Sequence, residues 1–230
     1  MLKNIATAGL LALSLSSSTQ ATTIYSPFST TPSPTPHMAQ NADGLDLRWG
    51  KTEANYLQTF NEAQNVYVNN NQINVDYLLG DNLFYGNHLR GGASPSRGQS
   101  LLEGDYNSHL IHFDPIGTRS SNVKNTRITF DSDIVAIILN AKDLRSSDSI
   151  FGGLDTQYLR NGASGIERHD FLTFESSRSL LVDRLWVGKY WIDDARIITQ
   201  SVPEPGSIAL LGLGIVGLFC ARSFTARKSK

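Results

Sequence analysis

The run Ile134-Val-Ala-Ile-Ile-Leu139 is apolar at every position. Its isoleucines and valine branch at Cβ, and such side chains favour extended backbone over helix. A short run of this kind is typical of a strand that is buried on both faces. We therefore predict that residues 134–139 form a central strand of a β-sandwich.

Other short strand signals, broken by Gly, Asn and Asp, lie on both sides of this run. They occupy residues 45–49, 64–68, 73–77, 109–113, 126–130, 171–174, 181–187 and 195–199. The strands at 64–68 and 73–77 are predicted to form a hairpin across an asparagine-rich turn. Residues 140–153 favour a helical turn or a loop, and no internal repeat is visible. The pattern predicts an all-β fold, an antiparallel β-sandwich with jelly-roll-like topology.

The front of the chain has the features of an export signal. Lys3 supplies a positive charge, residues 5–15 are apolar, and Thr19-Gln20-Ala21 fits a small-x-small cleavage site. We predict a signal peptide at residues 1–21, removed by signal peptidase. Residues 22–44 form a leader rich in Pro, Ser and Thr that is expected to be extended and solvated, so the sandwich is predicted at 45–201.

The other end has three segments in order. Pro203 and Pro205 interrupt regular backbone structure, residues 207–221 are uncharged and apolar, and residues 222–230 are basic. A charge-free helix followed by cations is typical of a membrane anchor with a cytoplasmic tail. We predict a short transmembrane helix at about 207–221.

These C-terminal residues resemble the PEP-CTERM sorting signal of Gram-negative bacteria. The resemblance rests on Pro203, Glu204 and Pro205, on the apolar helix, and on a basic end that Arg222 begins. It implies transient anchoring in the inner membrane, cleavage near the motif by an exosortase, and delivery to the cell surface or the extracellular space. The same segment is appended to some ice-binding proteins, but the threonines of this chain are too scattered to predict an ice-binding surface.

Parts of the body also resemble other proteins. Residues 192–198 are similar to the final strand of many bacterial jelly-roll modules, and residues 108–131 resemble uncharacterised proteins with a PEP-CTERM tail. Neither resemblance implies an activity.

Charge and cysteine content exclude several classes of protein. The chain has 20 basic and 21 acidic residues. Residues 22–201 contain 15 of the basic and 20 of the acidic residues. Their net charge of about −5 is unfavourable for nucleic-acid binding. The single cysteine, Cys220, lies in the predicted membrane helix, so the body has neither a disulfide nor a thiolate metal site.

Two groups of residues are candidate metal ligands. On a strand, His112 and Asp114 share a face while His109 points away, and two ligands are too few for a metal. A structural role is favoured, in which Asp114 caps the turn before Pro115. No cofactor is expected, although calcium remains an alternative to solvated turn positions for the loop aspartates, Asp143, Asp148, Asp155, Asp193 and Asp194.

Aromatic residues near the end of the body suggest a ligand. Trp186 lies in the alternating run Leu185-Trp-Val187 and is predicted to pack in the core. Tyr190 and Trp191 follow Gly188 in a predicted turn, where they are candidate contacts for a sugar ring.

The sequence contains none of the common hydrolase motifs. Four glutamates could supply the carboxylate pair of a glycosidase, but spacing does not bring any two together: Glu62, Glu103, Glu167 and Glu175. We therefore predict a non-enzymatic, exported β-sandwich of the cell surface or matrix, with a binding or a purely structural role, that is associated with exopolysaccharide or biofilm. A secreted polysaccharide-acting hydrolase is the alternative.

Overall fold

A computed structural model of the chain describes residues 23–25, 37–81, 83–91, 99–117, 120–159 and 164–201. The predicted signal peptide, most of the Pro/Ser/Thr-rich segment, and the predicted sorting segment with its membrane helix lie outside the described residues. Within the described ranges, no helix combines the length and apolar composition that a membrane crossing requires.

The described residues form fifteen strands and one helix. In chain order they are β1 Thr23–Tyr25, β2 His37–Met38, β3 Gln40–Asn41, β4 Asp46–Leu47, β5 Gln58–Asn61, β6 Val66–Val68, β7 Tyr77–Leu78, β8 Asn87–Arg90, β9 Gly104–Phe113, β10 Ser121–Thr129, β11 Ile134–Ile138, α1 Ala141–Phe151, β12 Gln157–Tyr158, β13 Phe171–Ser176, β14 Ser179–Val187 and β15 Asp193–Gln200.

Two large sheets form a sandwich. The first has the order β2-β1-β10-β14-β13-β8, and the second has the order β3-β5-β9-β15-β11-β7, with β6 also pairing with β9. All pairings in these sheets are antiparallel except that of β3 with β5. The consecutive strands β9, β10 and β11 alternate between the sheets, as do β14 and β15. The prediction of an all-β, largely antiparallel β-sandwich is confirmed.

The main core lies between the two sheets. Leu172 and Val182 of the first sheet meet Ile111, Ile137 and other apolar residues of the second. On β11, Ala136 and Ile138 point the other way, into a second apolar cluster that includes residues of α1. The run that begins at Ile134 is therefore buried on both faces, as predicted.

Helix α1 covers the outer face of the second sheet. Asn140 caps its N-terminus by accepting a hydrogen bond from the Asp143 N–H at 2.8 Å, and Asp76 accepts the N–H groups of Leu139 and Asn140. Its length, Ala141 to Phe151, is about three turns, which is longer than the helical turn or loop predicted for residues 140–153.

A buried arginine fastens α1 to the sheet. Arg196 of β15 donates to Glu62 from Nε and Nη2, at 2.7 and 2.6 Å, and from Nη2 to Asp148 of α1 at 2.9 Å. Its Nη1 donates to the Leu144 carbonyl at 3.0 Å and to the Ser147 hydroxyl at 2.5 Å. All five N–H groups of the guanidinium thus have acceptors, which a fully buried arginine requires.

Two predictions about the strands were wrong. Strand pairing begins before the predicted start at Leu45, because β1 pairs with β10, β2 with β1 and β3 with β5. The predicted hairpin between 64–68 and 73–77 does not form. Instead β6 pairs with β9, β7 pairs with β11, and Asn74 makes an isolated bridge to Ser100. Pairing with long strands of the second sheet replaces the local hairpin, because it buries Val68 and Tyr77 in larger clusters.

Candidate functional site

Three aromatic residues lie at the end of β14 and in the turn before β15, and a fourth packs against one of them. We call the four residues the aromatic corner: Trp49, Trp186, Tyr190 and Trp191. The exposed fractions of the last three are 42, 51 and 43 %. Trp49 packs edge-on against Tyr190, with 4.9 Å between ring centroids. Large aromatic rings that remain exposed together often mark an interaction surface.

The turn itself fixes the Tyr190 ring. Tyr190 has a φ of +68°, a left-handed conformation that bulky residues rarely adopt and that costs about 1–3 kcal/mol. The Trp191 N–H donates to the Gly188 carbonyl across the turn, and the Lys189 ammonium lies 4.6 Å from the Tyr190 ring centroid. A strained residue held in this way is consistent with a positioned ligand contact.

A second loop brings Trp49 to the corner, and a single carboxylate holds it there. The Asp114 carboxylate accepts the N–H groups of Gly50, Lys51 and Thr52 at 3.2, 3.2 and 3.3 Å. The Asp114 carbonyl also accepts the Ala54 N–H at 2.7 Å. We call this set of bonds the Asp114 latch. Because Asp114 is fully buried, its contacts are protected from competition with water.

A buried histidine adds a second connection to the same loop. His112 Nδ1 lies 2.6 Å from Asp194 Oδ1, and its Nε2 lies 2.7 Å from the Thr52 hydroxyl. The order carboxylate, imidazole, hydroxyl is that of a catalytic triad. However, the neighbouring backbone N–H groups already bind Asp114, so they are not open to a developing oxyanion. These contacts connect the loop that contains Thr52 to β9 and β15.

Two buried carboxylates lie behind the corner. Asp170 accepts the N–H groups of Trp186 at 2.7 Å and of Glu167 at 2.9 Å, and burial raises its pKa. Burial, and then the charges of Asp170, Glu167 and Asp194, raise the pKa of Asp193 well above its usual value. Asp193 Oδ2 has no hydrogen-bond partner among the described residues. Sequence patterns do not predict this electrostatic interaction, because the fold alone brings the charge of Asp170 to act on Asp193.

The predicted arrangement of the two histidines is confirmed. His112 and Asp114 both reach Thr52, whereas His109 points into the sandwich beside Phe130. There His109 contacts Asn61 and Thr199, and burial lowers its pKa from 6.5 to about 3. One detail was wrong: Asp114 binds the distant loop 50–52 and does not cap the turn before Pro115, since three backbone donors of that loop converge on it.

The prediction that Trp186 lies in the core was also wrong. Its neighbours Leu185 and Val187 are buried, and strict alternation places Trp186 on the opposite face of β14, towards solvent. Tyr190 and Trp191 lie on the surface at the turn, in positions that a ligand can reach.

The five aspartates considered for calcium do not converge. Asp143 lies at the start of α1, Asp148 binds Arg196, Asp194 binds His112, and Asp155 occupies an exposed turn. In the part of the chain that the structure describes, no three His, Cys, Asp or Glu side chains are placed to hold a metal ion together.

Comparison with known proteins gives one match. No curated protein and no solved structure matches the chain. Residues 201–228 match the family model of the PEP-CTERM protein-sorting motif, the segment that contains Pro203, Glu204 and Pro205. The chain therefore carries a PEP-CTERM sorting motif, which marks an exported protein that is sorted by an exosortase.

Proposed function

We propose that this protein acts at the cell surface or in the extracellular matrix as a non-enzymatic sandwich that contacts polysaccharide through the aromatic corner. The observation that carries the proposal is the exposure of Trp186, Tyr190 and Trp191 beside a loop that buried polar groups hold in place. The sorting motif supports it, because an exported protein meets the polysaccharides outside the cell.

The chemistry of the corner suits a sugar. The C–H faces of a pyranose ring are apolar and pack on aromatic faces, while an indole N–H or a phenol O–H can bond to hydroxyl groups at the ring edge. The Asp114 latch and the strained turn fix two of the rings before a ligand arrives. A preorganised site loses less entropy on binding, so a modest contact area can give useful affinity.

Export and anchoring fit the same proposal. Signal peptidase would remove residues 1–21, the helix at 207–221 would hold the protein in the inner membrane, and an exosortase would act near Pro203, Glu204 and Pro205. Arg222 would retain the tail on the cytoplasmic side.

The experiment is affinity electrophoresis of the full-length protein, kept in mild detergent, through gels that contain one polysaccharide each. The variants Tyr190→Ala and Trp191→Ala should each weaken retention about tenfold or more, since truncation of an aromatic anchor costs about 2 kcal/mol. Tyr67→Ala is the matched control. Tyr67 is exposed and pairs with Asp105, near the opposite end of β9 from the latch. Wild-type retention in both corner variants, with the fold intact by circular dichroism, would refute the proposal.

A secreted polysaccharide-acting hydrolase is the second candidate, and the raised pKa values of the buried Asp170 and Asp193 carboxyl groups favour it. Glycosidases need a carboxylic acid that keeps its proton near neutral pH, and burial raises the pKa of both groups. Three of the four glutamates named from sequence have other partners: Glu62 binds Arg196, Glu175 binds Arg127, and Glu103 accepts the Tyr67 hydroxyl. Turnover of a polysaccharide panel that Asp193→Asn abolishes would promote this candidate over the first.

A further inference from the structure

A row of cationic side chains crosses the outer face of the first sheet. Strand register places Lys124 of β10 opposite Arg184 of β14, Arg184 opposite Phe171 of β13, and Phe171 opposite Arg90 of β8. Neighbouring strands lie about 4.8 Å apart, so these four positions span roughly 14 Å in a line across the sheet. We call Lys124, Arg184 and Arg90 the cationic row.

Stacking on an aromatic ring orders the two arginines. The guanidinium carbon of Arg90 lies 4.9 Å from the Phe171 ring centroid, and that of Arg184 lies 5.5 Å from it. Arg184 also donates from Nε and Nη2 to the His169 carbonyl, at 3.2 and 2.6 Å. The positions of these charges are therefore set before any ligand is present.

Among the described residues, no carboxylate forms an ion pair with any member of the row. Other exposed arginines of the protein do have carboxylate partners: Arg127 pairs with Glu175 at 2.6 Å, and Arg178 pairs with Asp133 at 2.8 Å. The acidic neighbour of Arg184 on β14 is Asp183, whose carboxylate accepts the Thr173 hydroxyl at 2.6 Å. Burial raises the pKa of the Asp170 carboxyl, and the charge of Arg184 acts on that carboxyl and lowers its pKa against this effect. Within the described ranges, the row is thus a line of three cations without a carboxylate at ion-pair distance, on a body whose net charge is about −5.

The row is continuous with the aromatic corner. Trp186 follows Arg184 by two residues on β14, and its strand partner is Asn122, two residues before Lys124. All of these outward positions belong to adjacent rows of one sheet. A polymer that stacks on the corner can therefore continue across the cationic row.

We propose that the polysaccharide is acidic, and that its carboxylate, sulfate or phosphate groups pair with Lys124, Arg184 and Arg90 while its sugar faces stack on the aromatic corner. This inference rests on the proposed function. Guanidinium groups bind such oxyanions through paired hydrogen bonds. Because the charges lie at the surface, each pair contributes modestly and salt weakens all of them together.

The experiment compares a polyuronic acid with the same polymer after methyl esterification of its carboxyl groups. Full-length protein in detergent is tested as wild type, as the double variant Lys124→Gln/Arg90→Gln, and as Trp191→Ala. Arg178→Gln is the control, because it removes an exposed arginine outside the row. We expect the wild type to bind the acid at least fivefold more tightly than the ester at low salt, and this preference to shrink at 0.5 M NaCl. The double variant should lose the preference and bind the ester as the wild type does, and Trp191→Ala should weaken both.

The outcomes separate the two proposals. Equal binding of acid and ester by the wild type, or an unchanged preference in the double variant, would overturn the acidic-ligand inference and leave the corner as a polysaccharide site. Binding of neither polymer by the wild type would overturn both. Binding only to vesicles that contain phosphatidylglycerol, lost in the double variant, would assign the row to the membrane and also overturn the inference.

Discussion

Removal of the Asp114 carboxylate should release the loop that carries Trp49 without unfolding the sandwich. In Asp114→Ala, the N–H groups of Gly50, Lys51 and Thr52 lose the acceptor they share. Hydrogen bonds to a charged group contribute about 1.5–3 kcal/mol each, and these three are long, so we take about 2–4 kcal/mol for the whole set. Since 1.4 kcal/mol corresponds to a factor of ten, the loop should open roughly 30 to 700 times more often.

Amide hydrogen exchange, followed residue by residue by NMR, measures this opening. The amides of Gly50, Lys51 and Thr52 should exchange faster by that factor, whereas core amides of β9 and β15 change little, because loops can open below the free energy of global unfolding. Asp133→Ala is the control, since Asp133 is an exposed carboxylate paired with Arg178. If Asp114→Ala remains folded and the three amides exchange within threefold of wild type, the latch does not hold the loop and the argument for preorganisation fails.

Three other predictions concern buried charge. Arg196→Met should lower the free energy of unfolding by about 3–5 kcal/mol, because it leaves the buried Glu62 carboxylate without its cationic partner. The double variant Arg196→Met/Glu62→Gln should regain part of that free energy. Denaturant titration measures both variants, and an equal loss in the single and the double variant would contradict the prediction. Asp193→Asn should raise the melting temperature at pH 7 but not near pH 3. The pKa of Asp193 is raised in the folded state, so above pH 3.8 the unfolded state loses this proton more readily than the folded state does. The free energy of unfolding of the wild type therefore falls as the pH rises above that value. His109→Gln should reduce the fall in the free energy of unfolding between pH 6.5 and pH 3. In the wild type, His109 stays neutral in the folded state down to about pH 3 but takes up a proton in the unfolded state below pH 6.5, so acid favours unfolding. An unchanged slope of the free energy of unfolding against pH in the variant would exclude His109 as the cause.

Features of the fold that depend only on residues adjacent in sequence could be predicted from the sequence. The apolar run from Ile134 specifies a strand whatever its partners, because both of its faces must be buried. Parity along one strand likewise separates His109 from His112 without knowledge of the neighbouring strands. The sorting motif is a linear signal, so it could be identified from its residues alone.

Features that depend on partners distant in sequence could not be predicted. Asp114 meets a loop more than sixty residues earlier. Burial, and then the charge of Asp170, raise the pKa of Asp193, although the two residues lie on different segments of the chain. The error on Trp186 has a different cause. The apolar character of the Trp186 ring predicts burial, but Leu185 and Val187 on either side of it already occupy the inward face of β14, so alternation places the ring outward.

The two sheets differ in what covers them, and this difference limits where a polymer can bind. The outer face of the second sheet packs under α1 and the segment that contains Ile73 and Val75, so its charged residue Arg196 is internal. The run Asp193-Asp-Ala-Arg196 resembles a solvated strand, yet all four residues are buried. Ala195 lies in the core between the sheets, whereas Arg196 lies under α1. On the first sheet, by contrast, alternate residues of β10 such as Lys124 face solvent. An extended ligand that stacks on the aromatic corner thus has the first sheet as its open path among the described residues, and the cationic row lies on that path.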